Sequence, residues 1–220
     1  HQQAPTGRIK FGTEANGGFK NITVTNCTFD YCRGLALEEV DGGDLEDVTI
    51  SNLVMRDIGN APIYLRLAAR DRGPAGTQPG HLRRISISHL QASGVQGKAA
   101  VIIAGIPGHP IEDVSLSDIH ILTQGGGTEA DAARTPPELE TGYPEPETHG
   151  VQPASGFYIR HVRGISFLNV DARTEEPDAR PTFVLDDVRH VWFEHSDGTK
   201  RFLNPADRPV FSRETDHPTP

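Results

Sequence analysis

Five side chains in the first third of the chain are of the types needed to grip an anionic, ring-shaped ligand: Arg8, Lys10, Glu38, Tyr64 and Arg66. Arginine matches a carboxylate through its planar fork, and a tyrosine ring packs on the apolar face of a sugar. The two cations stand in the stretch GRIKFGTEANGG at residues 7 to 18, with Ile9 between them. A carboxylate beside such a floor can orient a substrate or move a proton. Inverting glycoside hydrolysis needs two carboxyl groups about 6.5–9.5 Å apart. Glu14, Glu38, Glu39 and Asp41 crowd near the strip, and Glu38 is the best placed for a catalytic or substrate-orienting role. No two of them stand out as a catalytic pair. The plainer reading is a surface ladder of Lys10, Glu38 and Arg66, each ion pair worth little.

These residues act together only if neighbouring strands bring them side by side. The segments NITVTNCTF, DVTISNLVM, RISISHLQA, DVSLSDIHI, GISFLNVDA and HVWFEHSDG each hold an apolar anchor with a polar residue four positions later. The anchors are Ile22, Val48, Ile85, Val114, Ile165 and Val191, and the followers are Asn26, Asn52, His89, Asp118, Asn169 and His195. Anchor separations of 26, 37, 29, 51 and 26 residues describe one basic coil with insertions. Short strands recurring at that period, without helical stretches, predict an all-β right-handed, single-stranded parallel β-helix. The followers fall at turns, where a short polar side chain can satisfy exposed backbone groups.

A second strand recurs in each coil, at RIKFGTE, LALEEV, IYLRLA, AVIIAG, FYIRHV and FVLDDV. Period-two alternation turns Ile9, Leu35, Leu37, Ile63 and Leu65 inward. Arg8 and Lys10 then face outward on one rung, Ala36 and Glu38 on the next, and Tyr64 and Arg66 on the third. This strip reads as a groove for an acidic oligo- or polysaccharide, with Arg70 and Arg72 added by the loop at 66–81. That loop and a second at 123–155 are insertions in one domain covering residues 1–220. The longer insertion is rich in Pro and Glu and has too few apolar residues for a core, so it is expected to pack as a loop against the solenoid. It carries Tyr143 and His149, which nothing in the sequence places.

The chain has 220 residues, formal charge -9 and only two cysteines. The acidic balance opposes binding to nucleic acid or to an anionic membrane. No apolar run is long enough to cross a bilayer as a helix. No Cys and His spacing suggests a metal site, and no cofactor is expected. Cys27 and Cys32 fit either a pair of core thiols or a disulfide.

The stretches GRIKFGTEANGGFKNITVTNCTF, RGLALEEVDGG, LEDVTISNLVMRDIGNAPIYLRL, YPEP, GFYIRHVRGISF and DARPTFVLDDV resemble the pectin-degrading hydrolases of glycoside hydrolase family 28. The resemblance spans about residues 7 to 195 and implies a secreted or periplasmic enzyme acting on polygalacturonan or rhamnogalacturonan. It also implies that Arg8 and Lys10, as the family's Arg-Ile-Lys motif, hold a substrate carboxylate. Counted back from NAPIYL, however, the coil expected to carry that motif is Leu35 to Glu38. The family's Asn-Thr-Asp and Asp-Asp motifs are missing from their expected places, and the adjacent Asp186 and Asp187 read as turn or solvent residues. The resemblance is therefore to the carboxy-terminal part of such an enzyme. It implies that the catalytic aspartates lie on a preceding segment or second chain, which would also cover an otherwise exposed amino-terminal coil end. A polysaccharide lyase and a non-catalytic carbohydrate-binding solenoid are the alternatives.

Overall fold

The computed structural model describes residues 8–204 and 210–211. Every pairing between its named strands is parallel. Short strands β1 (Ile9–Phe11), β3 (Leu35–Glu39), β5 (Ile63–Leu67) and β7 (Val101–Ala104) alternate along the chain with longer ones. The longer ones are β2 (Phe19–Asp30), β4 (Asp44–Arg56), β6 (His81–Val95) and β8 (Ile111–Gly125). β9 (Phe157–Glu176) runs through both series, and β10 (Phe183–Glu194) pairs with it and with β11 (Lys200–Leu203) and β12 (Val210–Phe211). The hydrogen-bonded order is β1-β3-β5-β7-β9-β8-β6-β4-β2, so the single sheet folds back on itself and nearly closes.

All six anchors fall in one ladder, Ile22 beside Val48, Ile85, Val114, Ile165 and Val191 in turn. The six polar followers share a backbone state rather than a backbone-bonding role. Each has positive φ, from 45° at His195 to 59° at Asn26. That left-handed conformation is costly for most L-residues and least so for short polar ones. It bends the strand and resets the side-chain phase. Inward residues therefore run Val48, Ile50, Leu53, Met55, and again Ile85, Ile87, Leu90, Ala92. The expectation that the followers bond backbone groups is corrected. Four of them bond one another instead, Asn52 Nδ2 donating to Asn26 Oδ1 at 3.1 Å and Asn169 Nδ2 to Asp118 Oδ1 at 2.7 Å.

The interior is one apolar column of stacked side chains, ending in a Phe cluster where Phe157 and Phe183 stack at 4.8 Å and Phe167 and Phe193 at 4.6 Å. Burying each such side chain stabilises by roughly 1.5–3 kcal/mol. At the other end the same positions are only partly covered. Ile22, Val24 and Phe29 of β2 are half-buried, whereas their partners Val48, Ile50 and Met55 are buried. β1 and β2 form that edge of the sheet among the described residues. Cys27 and Cys32 are free thiols.

Between β8 and β9 the chain forms a four-residue helix α1 (Glu129–Ala132), capped by Thr128, and a 3-10 turn over Pro146–His149. Residues 134–149, here the strap, lie across the outward face of β1, β3 and β5. Its own apolar content is small, so hydrogen bonds and ion pairs to the sheet hold it.

Candidate anion-binding site

The five expected site residues lie on one outward face, with Glu38 beside Arg66 as expected but Lys10 off that ladder, and in a different environment from that expected. Lys10 stands beside Ala36 and Ala36 beside Tyr64, while Glu38 stands beside Arg66. The face is not a solvent-filled groove, because the strap covers it. Glu38, Tyr64 and Arg66 are buried, with 0%, 1% and 2% of their surfaces exposed. Of the five, only Arg8 and Lys10, toward the β1 edge, keep partial exposure.

Arg66 binds no carboxylate. Its Nη1 donates to the Gly105 carbonyl at 3.1 Å, and its Nη2 to those of Glu138 and Leu139 at 2.6 and 2.9 Å. The guanidinium thus fastens the strap, and burial pulls its pKa down. Tyr64 meets the strap's His149, its hydroxyl 3.2 Å from Nε2. Burial, then the charges of Arg66 and Arg160, lower the His149 pKa to about 4. The contact therefore fits Tyr64 donating to a neutral ring.

Glu38 is the counter-ion of Lys10, Oε2 lying 2.8 Å from Nζ. Thr13 also donates to Oε2 at 3.3 Å, while Oε1 has no partner. Burial raises the Glu38 pKa, and Lys10 opposes that rise. With its surface covered, Glu38 touches no solvent-borne substrate in this arrangement. Glu39 is buried too, at about 7 because burial outweighs the N–H groups it accepts from. Its Oε1 accepts from Gly43 at 2.8 Å and caps the turn. Burial would raise Asp41, but Arg70 and the backbone N–H groups of Arg72 and Ala15 hold it below the usual range. Asp41 ties down the 68–80 loop through Arg70 Nε at 2.9 Å and the Arg72 N–H. Of the four carboxylates near the strip, Glu14 alone is exposed.

What remains accessible is a carboxylate cradle. Glu145 of the strap receives Arg8 Nη2 on Oε1 at 2.8 Å, with Lys10 Nζ at 3.7 Å. Arg33 Nη2 approaches the other oxygen at 3.3 Å and also meets Glu147 at 2.5 Å. Tyr143 lies beside them, half exposed, its ring centre 5.9 Å from Lys10 Nζ and 5.8 Å from the Arg70 guanidinium. Nothing in the sequence groups Arg33, Tyr143 and Glu145. Arg33 sits in the irregular link between β2 and β3, outside any strand register, and the other two lie in a segment without periodicity.

A second polar cluster lies further along the face. Asp186, expected at a solvent position, is instead buried, accepting from Asn204 at 3.2 Å and paired with Arg160 at 3.1 Å. Asp187, expected in a turn or at solvent, lies within β10 with a left-handed φ of 50° and meets His161 Nδ1 at 2.7 Å. Glu138 of the strap faces the other nitrogen of that ring at 3.2 Å. No group of His, Cys, Asp and Glu suited to a metal ion occurs among the described residues. No family model matches the chain, nor does any curated protein or solved structure.

Proposed function

We propose that the chain is a right-handed parallel β-helix belonging to a glycoside hydrolase that acts on acidic pectic polysaccharide, with Arg8, Lys10 and Arg33 holding a uronate carboxylate. The observation carrying this reading is the seat of Glu145. Three cations already surround a carboxylate there, and an exposed tyrosine ring stands next to it. A substrate carboxylate that takes the place of Glu145 meets the same fork and point charge. In this reading the acid and base come from carboxylates on a segment preceding this chain, and the protein works in a secreted or periplasmic setting. The two accessible carboxylates at the cradle, Glu145 and Glu147, are both engaged by Arg33, which favours a second reading as a non-catalytic carbohydrate-binding solenoid.

Calorimetric titration with oligogalacturonate and its methyl ester tests the uronate site. The acid form is expected to bind at least about tenfold more tightly, which is roughly one charge-assisted hydrogen bond. Arg8→Ala is expected to abolish that preference. Equal affinities of the unaltered protein for acid and ester would remove the case for a uronate site. Release of reducing ends without an unsaturated product separates hydrolysis from elimination, and binding with neither supports the module.

A further inference from the structure

The end of the strap is held by a side chain that fits its seat only while it is uncharged. His149 closes the 3-10 turn Pro146–His149 and is 4% exposed, its ring edge-on to that of Tyr64 with centres 5.9 Å apart. Tyr64 and Arg66 face it from β5, and Arg160 faces it from β9. The carboxylates of this face are engaged elsewhere, Glu38 with Lys10, Glu145 with Arg8, and Glu138 with Arg160 and His161.

A neutral ring suits this seat, because Nε2 can accept from the Tyr64 hydroxyl. A protonated ring does not. It would add a buried cation beside two guanidinium groups, and Nε2 would donate where it now accepts. Of the groups acting on the ring, only the Pro137 carbonyl, in the strap itself, favours the charge.

The two ends of the strap therefore answer acid differently. Toward its start, the Glu138 and Leu139 carbonyls accept from Arg66, and the Glu138 carboxylate pairs with Arg160. A proton on His161, which lies between Glu138 and Asp187, tightens that end. A proton on His149 expels the other.

We propose that His149 is an acid-sensitive latch, whose protonation frees the strap's end at residues 143–149 while Arg66 and Arg160 keep its start clamped. The inference concerns the strap and stands whether or not the cradle binds a uronate. Lifting that end also takes Glu145 away from Arg8, Lys10 and Arg33, so the cradle opens as the medium turns acidic. Burial, then Arg66 and Arg160, hold the closed ring at about 4 against an ordinary 6.5. The open form binds the proton that the closed form refuses. Closure is thus fully favoured above the ordinary value and weakens as the pH falls toward the lower one. Between pH 8 and pH 5 the ratio of closed to open strap should fall about thirtyfold.

Hydrogen exchange tests this, with each rate divided by that of the unfolded chain at the same pH. The amides of Glu145, Thr148 and Gly150, bonded to carbonyls within the strap's end, report on that end. The Ala69 amide, which donates to the Glu140 carbonyl at 2.7 Å, reports on the start. Protection of the first three is expected to fall about thirtyfold from pH 8 to pH 5, since exchange follows the open population, while that of Ala69 holds. His149→Gln keeps an acceptor for Tyr64 and takes up no proton, and His149→Phe keeps a ring against Tyr64. In both, protection of the end should be the same at the two pH values. Should one variant fail to fold, the other decides, and the contrast between the end and Ala69 in the parent protein needs neither. Unchanged protection of the end in the parent, an equal fall in the His149 variants, or a fall shared by Ala69 would overturn the proposal.

Discussion

Arg66→Ala is expected to destabilise the protein by about 3 kcal/mol and to loosen the strap. The estimate follows from at least two hydrogen bonds from a charged donor, each worth roughly 1.5–3 kcal/mol, less the relaxation that water allows. For a chain of this size that lowers the melting midpoint by roughly 6–12 °C. The loss has a location, because Arg66 is the sheet residue that holds the Glu138 and Leu139 carbonyls. Limited proteolysis should therefore cut first between residues 134 and 149 in the variant and spare that segment in the parent protein. Arg66→Met, which keeps much of the packed volume, should leave the strap as cleavable as Arg66→Ala does. A variant with unchanged strap protection would mean that the other contacts of the strap suffice.

The second large effect is expected at Lys10, and it depends on pH. Lys10→Met leaves Glu38, with none of its surface exposed, as a buried carboxylate without a counter-ion. Removing one member of such a pair costs about 3–5 kcal/mol when the other stays ionised. The sign follows from the direction of the shift. Burial already raises the Glu38 pKa above its ordinary 4.5, and Lys10 counteracts that rise. A raised carboxyl pKa gives stability that is fully present below the unfolded value and is lost as pH rises through the folded one. Without Lys10 the folded pKa climbs further, so the loss is larger. The gap between variant and parent should be widest near pH 8 and shrink as the pH falls toward 4, where Glu38 is protonated in both. Denaturant unfolding at several pH values measures it. A gap independent of pH would assign the cost of Lys10→Met to its contacts with Tyr143 and Glu145 instead.

The stacking of the strands was legible because each coil repeats the same local problem. An apolar pair, a left-handed corner and a second apolar pair leave a signature at Val48, Asn52 and Leu53 that recurs at Val114, Asp118 and Ile119. Parallel pairing then follows from the same anchor-to-follower spacing recurring in the same chain direction in every segment. The outward strip was legible for the same reason, since Lys10, Tyr64 and Arg66 obey the strand alternation. Burial of the strip was not legible. Whether an outward residue meets water depends on what crosses above it, and the strap has no period that could fix its path. Its Pro and Glu content predicts a loop but not that Glu145 would settle on Arg8 and Arg33. Arg66 shows the consequence, since alternation places it on the outer face and only the strap makes it a buried clamp. Glu38 shows it again, since the carboxylate singled out for chemistry has none of its surface exposed.

The most direct test of the cradle is to remove the carboxylate that now fills it. In Glu145→Gln, affinity for oligogalacturonate should rise about tenfold by calorimetry, since the ligand no longer competes with a charged side chain for Arg8, Lys10 and Arg33. Affinity for the methyl ester should stay as it was, and the gain for the acid should fade with added salt. Unchanged or weaker binding of the acid by Glu145→Gln would contradict the account, leaving the three cations as fasteners for the strap and nothing more.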